Sequence, residues 1–134
     1  MPSTFSVLAK SDSMIASDLD QLQGSWSNVA GPRSATMRIE GTRFTFEFLD
    51  GDLYKGTFFL DPEAEPKQMD MLIEVGPTED QGHIALCIYQ IADGVLRWCP
   101  TKPGTDRRLT NFPRLDDGRY NSMLFKQSIP RRSR

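Results

Sequence analysis

The chain has 134 residues, 16 Lys+Arg against 18 Asp+Glu and a formal net charge of −2, enough for one domain that buries roughly two-thirds of its unfolded surface without metal or disulfide staples. With no interior basic stripe, nucleic acid is not an expected partner, and no run of about eighteen apolar residues exists to cross a bilayer. The apolar piece Phe5, Val7, Leu8 and Ala9 is too short and interrupted for a signal-peptide core, so a cytoplasmic protein, away from membranes, is expected.

In chain order, residues 1–16 show no sustained period and are rich in Ser and small side chains, which reads as a flexible N-terminal arm. One short helical turn is expected over 17–23, capped by Ser17 or Asp18 ahead of Leu19 and Leu22. From Gly24 onward period two dominates, broken by turn residues every ~8–12 positions, the mark of an all-β barrel or sandwich. The predicted strands are 24–30, 35–40, 42–49, 53–60, 67–75, 83–91, 95–100 and 121–127. Gly31-Pro32, Glu40-Gly41, Asp50-Gly51-Asp52, Asp61-Pro62, Gly76-Pro77, Asp93-Gly94 and the long stretch 101–120 separate them. This series of hairpins predicts an eight-stranded antiparallel up-and-down meander, and closure into a barrel over 17–128 removes both exposed edges. Residues 129–134 read as a basic, solvated tail containing Arg131, Arg132 and Arg134.

Register follows from turn length. A three-residue loop Asp50-Gly51-Asp52 sets Phe48 opposite Tyr54, Phe46 opposite Gly56 and Phe44 opposite Phe58 on one apolar face. The other face then opposes Glu47 to Lys55 and Thr45 to Thr57. A three-residue turn Ala92-Asp93-Gly94 sets Ile88 opposite Trp98, Tyr89 opposite Arg97 and Cys87 opposite Cys99. Either face of that hairpin could look inward, with Ile84, Leu86, Ile88 and Trp98 the more hydrophobic choice. Cys87 and Cys99 are expected as free thiols, and Glu47, Asp70 and Glu74 as outer-face solvation.

In "LQGSW", residues 22–26, glycine stands two places before a tryptophan at the start of the first strand. Trp26 is expected to lie across the open base of the barrel, Gly24 permitting close approach of the chain, with Lys126 of the last strand stacked on the indole. This arrangement resembles lipocalin or calycin barrels, whose first strand bears Gly-x-Trp. A broader resemblance spans about residues 18 to 127: "LQGSW", "RIEGTRFTF", "KGTFFLDPEAEPKQMDM", "GHIALCIYQIADGVLRWC" and "DRRLTNF" are similar, in the same order, to blocks of a family of small lipocalin-like domains expanded in planctomycetes. That family has no settled general activity, so the resemblance implies a fold and carries over no catalytic residues. The chain departs from it at Cys87, where glycine is usual before "IY", and at Arg108, where proline is usual.

The expected interior is rich in aromatic and thioether groups. Met37, Phe44, Phe46, Phe48, Phe58, Met69, Met71 and Trp98 are candidate ligand contacts, because such walls repack around an irregular organic molecule; in the plainer reading they only fill the barrel. Arg107 and Arg108, in the 101–120 loop, are candidates to reach over the mouth to an anionic group, Arg107 being the one assigned to ligand binding. For catalysis the candidates are Tyr54, His83, Tyr89 and Arg97: Tyr89 and Arg97 as fixed donors to an oxyanion or enolate, His83, the sole histidine, as an acid or base, or else all as surface groups. The lone histidine and two cysteines form no metal set, and no cofactor is expected.

Two functions compete. One is a binding module enclosing a small hydrophobic or amphipathic molecule, with 101–120 as its lid; the other is a cofactor-independent enzyme, a cyclase or isomerase of a polyene or polyketide-like substrate, for which the pocket supplies shape and dryness. A filled barrel acting through its outer surface is a third possibility. A monomer or homodimer is expected.

Overall fold

The computed structural model describes residues 3–128, with side chains from residue 12 onward; the predicted tail 129–134 lies outside the described residues. A helix, α1 (Ser3–Leu22), precedes eight strands: β1 (Gly24–Ala30), β2 (Ala35–Glu40), β3 (Arg43–Phe48), β4 (Leu53–Asp61), β5 (Lys67–Val75), β6 (Ile84–Ala92), β7 (Val95–Pro100) and β8 (Met123–Gln127). Each strand pairs antiparallel with the next, and β8 returns to β1, closing the barrel. The predicted strands match these to within two residues at either end.

The N-terminal expectation needs correction. Where an arm to residue 16 and a single turn were expected, a twenty-residue helix runs into the barrel. Its last turns bury Asp18 and Leu22 and half-bury Ile15 and Leu19, a spacing that puts them on one face.

Alternation decides the lining. Ala35, Met37 and Ile39 of β2, Phe44, Phe46 and Phe48 of β3, and Met69, Met71 and Ile73 of β5 are buried, while their neighbours are exposed or half-buried. The β3–β4 register is displaced by two from expectation: Phe46 faces Tyr54, Phe44 faces Gly56, Thr45 faces Lys55 and Arg43 faces Thr57. A slip of two keeps every side chain on its face, so the apolar wall survives while the expected Glu47–Lys55 and Thr45–Thr57 pairs do not.

In the β6–β7 hairpin the slip is one, and the consequence is larger. Tyr89 faces Trp98, Gln90 faces Arg97 and Ile88 faces Cys99, because the turn is the two residues Asp93-Gly94 at φ 52° and 75°. Ala85, Cys87, Tyr89, Leu96 and Trp98 therefore join the interior, and of the two faces left open by the sequence it is the more hydrophobic one on β6, Ile84, Leu86 and Ile88, that points out. Ile84 is exposed, whereas Ile88 and Cys99 are buried on the outer wall. Cys87 and Cys99 are free thiols on opposite faces.

One end of the barrel is sealed. Trp26 is fully buried and its indole N–H donates to the carbonyl of Leu22 at 2.8 Å, tying strand to helix end. Gly24 takes φ +114°, a backbone an L side chain rarely adopts, which lets the chain turn from helix into strand there. Lys126 does not stack on the indole. It pairs with Ser27 and is exposed, and Gln127 is the residue beside Trp26; its amide donates to the carbonyl of Gln23 at 2.9 Å. The Gln23 side chain in turn bridges both polar groups of the Gly41 backbone.

Candidate functional site

Opposite the sealed base, β3, β4, β5, β6 and β7 end around a pocket of about 510 Å³ that opens to solvent. Its wall comes from inward positions of neighbouring strands: Phe44, Phe46 and Phe48, Tyr54, Met71 and Ile73, Ala85, and Trp98. Phe46 is the hub, with ring centroids 4.8 Å from both Phe48 and Trp98 and an edge contact to Phe125 at 5.8 Å. Tyr54 stands edge-on to Phe48 at 5.9 Å. Offset and edge geometries of this kind fix the rings as a rigid surface.

The rim is polar and comes from loops. Arg33 lies over the Phe48 ring at 3.6 Å and pairs with Asp50 and Asp52 at 2.8 and 3.3 Å. A short 3-10 turn, Thr78–Asp80, places Asp80 on the lining, 5% exposed. The Tyr54 hydroxyl donates to Asp80 Oδ2 at 3.3 Å, and burial followed by the Asp80 charge pushes the Tyr54 pKa up to about 12, keeping the phenol protonated. Lys102, Arg119 and Tyr120 complete the rim.

Two buried polar atoms on this lining lack a hydrogen bond: Trp98 Nε1 and Asp80 Oδ1. The Trp98 N–H lies against the Cys87 sulfur, a weak acceptor, and helps draw down a thiol that burial otherwise pushes well above its usual range.

Of the expected ligand contacts, Phe44, Phe46, Phe48, Met71 and Trp98 line the pocket. Met37, Phe58 and Met69 are buried in the core but are not on the pocket wall. Arg107 is exposed and does not line it. Arg108 is held on the outer wall, bonding Asp70 at 2.7 Å and donating to the carbonyl of Cys87 at 3.0 Å. The start of this stretch is anchored along β6, Thr101 and Gly104 donating backbone N–H groups to Leu86 and Ile84, and from there it edges the mouth. Only the ends of the expected lid, around 101–105 and 119–121, touch the pocket.

The four catalytic candidates do not converge. Tyr54 lines the pocket; His83 is exposed, with its ring beside Gly104. Tyr89 faces inward, where its hydroxyl donates to Asp18 at 2.6 Å, while Arg97 is on the opposite face, over Phe112 at 4.7 Å and donating to the carbonyl of Pro113. The one-residue slip at Asp93-Gly94 separates the expected Tyr89–Arg97 pair. Sequence reasoning passed over Asp80, Arg33 and Lys102, which sit in loops of ordinary turn composition and meet only once the barrel closes.

Among the described residues no three His, Cys, Asp or Glu side chains gather as a metal set, and no helix is long and apolar enough to cross a membrane. Searches of family models, curated proteins and solved structures find no match to this chain.

Proposed function

We propose that the open half of this barrel binds a small hydrophobic or amphipathic organic molecule, and that the chain belongs with the lipocalin-like domains its sequence resembles. Supporting that kinship are a helix running into Gly-x-Trp on β1, an indole across the closed base and seven further strands in simple order. Two free thiols suit a reducing compartment such as the cytoplasm.

The observation that carries the binding reading is a pocket of about 510 Å³, open to solvent at one end and walled by Phe44, Phe46, Phe48, Met71 and Trp98. An apolar ligand body seated on that wall removes its aromatic and thioether surface from water, at about 25 cal/mol per Å² buried. The pocket volume falls within the ~300–1,000 Å³ usual for organic ligands. The cyclase or isomerase reading keeps only Tyr54 of its four groups on this wall, so binding is the function the geometry supports best.

Titration with prodan, a neutral fluorescent naphthyl ketone, tests it. Saturable binding should blue-shift the probe and quench Trp98, and Phe46→Ala, which removes the ring at the centre of the wall, should weaken the ketone at least about fivefold. No saturable binding up to the solubility limit of the probe would overturn the proposal.

A further inference from the structure

We infer that the pocket mouth selects a ligand whose polar end is a cation or hydrogen-bond donor, an amine before an alcohol and both before a carboxylate, with Asp80 as the group that receives it. The inference deepens the binding reading above and rests on it.

Asp80 is positioned by its own turn. Its N–H donates to the carbonyl of Pro77 at 2.9 Å and its carbonyl accepts the N–H of His83 at 3.1 Å, so the carboxylate is fixed on the lining. Oδ2 accepts the Tyr54 hydroxyl, whereas Oδ1 accepts no hydrogen bond. The ion-pair partner of Oδ1 is Lys102 Nζ at 3.9 Å, too far for a hydrogen bond and carried on a side chain 73% exposed. A pair so long and so wet holds little, and the lysine is free to swing aside. A buried carboxylate oxygen with that little compensation attracts a donor.

The remaining rim charges point the same way. Arg33 is engaged by Asp50 and Asp52 and by the face of Phe48. Arg119 is engaged by Asp117 at 2.9 Å and lies over Tyr120 at 5.5 Å. Glu79 adds a second negative group to the lining. A ligand carboxylate would have to displace existing acids from these arginines and stand beside Asp80, whereas an ammonium or hydroxyl meets an acceptor with capacity left over. The wall behind it takes an apolar, preferably aromatic, body.

Three probes with one body and different ends test the inference: naphthylbutylamine, naphthylbutanol and naphthylbutanoic acid, titrated at neutral pH by tryptophan quenching and calorimetry. The flexible four-carbon arm lets each head reach the rim wherever the ring settles. The expected order is amine, alcohol, acid, with the amine at least about tenfold tighter than the acid. Asp80→Asn should bring amine and acid within about twofold, and Lys102→Ala, on an exposed side chain that leaves folding intact, should widen the gap. An acid that binds as tightly as the amine, or an amine preference untouched by Asp80→Asn or narrowed by Lys102→Ala, would overturn the head-group inference while leaving the barrel a binding site. Failure of all three to bind would overturn the binding reading itself, and the inference with it.

Discussion

Removing one oxygen from the sealed end of the barrel should cost more than its size suggests. Asp18 is charged, yet only 5% exposed, and its Oδ2 accepts both the Tyr89 hydroxyl at 2.6 Å and Lys67 Nζ at 2.9 Å. Tyr89→Phe keeps the ring that fills the barrel and deletes only the donor. A hydrogen bond to a charged acceptor is worth about 1.5–3 kcal/mol, and the lower half of that range applies here because Lys67 still neutralises the carboxylate. For a chain of this length the loss should lower Tm by about 4–10 °C. Urea unfolding followed by the fluorescence of buried Trp26 measures it, and the cycle with Asp18→Asn should show a coupling of about 1 kcal/mol or more, since the two residues share one bond. Tyr54→Phe is the control: its 3.3 Å bond at the half-exposed rim should contribute less than about 1 kcal/mol. A Tyr89→Phe variant within about 0.5 kcal/mol of the parent, or strict additivity with Asp18→Asn, would refute the reasoning, because neither is compatible with a desolvated bond to that carboxylate.

Gly56→Ala should destabilise the protein by about 3 kcal/mol or more, because its Cβ would stand 1.8 Å from the Leu72 carbonyl oxygen beside the β4–β5 bulge; urea midpoints read the loss. Stability should fall as pH rises above about 10, since burial and nearby carboxylates raise Tyr54 to about 12 and Tyr89 higher still, so that above the unfolded tyrosine pKa the folded state retains protons the unfolded chain releases; urea midpoints across alkaline pH measure it. Both thiols should resist an aromatic disulfide reagent in the native protein and react at the rate of unfolding, because burial pushes Cys99 up to about 11 and Cys87 well above the usual range; absorbance of the released thiolate reads the rate.

The strands were legible because their signal is repeated: alternation over Ala35–Phe48 and Lys67–Val75 survives any small error in a turn. Turn length was the fragile step. Counting Leu49, Asp50 and Gly51 as the loop, instead of 50–52, would have given the observed β3–β4 register, and the faces were right either way. At Asp93-Gly94 the two-residue hairpin signature was present in the sequence, and reading it as three residues exchanged the faces of β6 relative to β7. The helix was missed because Ser11, Ser13 and Ser17 are weak helix formers, although Ile15, Leu19 and Leu22 already carried a helical period.

The rim was illegible for a different reason, and the difference follows from how the barrel is divided. The base is closed by residues whose chemistry announces burial: a tryptophan after a positive-φ glycine, and two leucines a turn apart. The polar side chains buried there are paired, Trp26 with Leu22, Tyr89 and Lys67 with Asp18, Gln127 with Gln23. At the mouth, by contrast, Asp80 and Trp98 come from segments 18 residues apart in sequence, and Asp80 keeps Oδ1 without a hydrogen bond beside the aromatic wall. No local pattern encodes that deficit, because it is a property of the closed barrel and not of either segment. A barrel that pairs its buried side chains at the closed end and leaves Asp80 Oδ1 without a hydrogen bond beside an aromatic wall at the open one offers an acceptor where a ligand can enter.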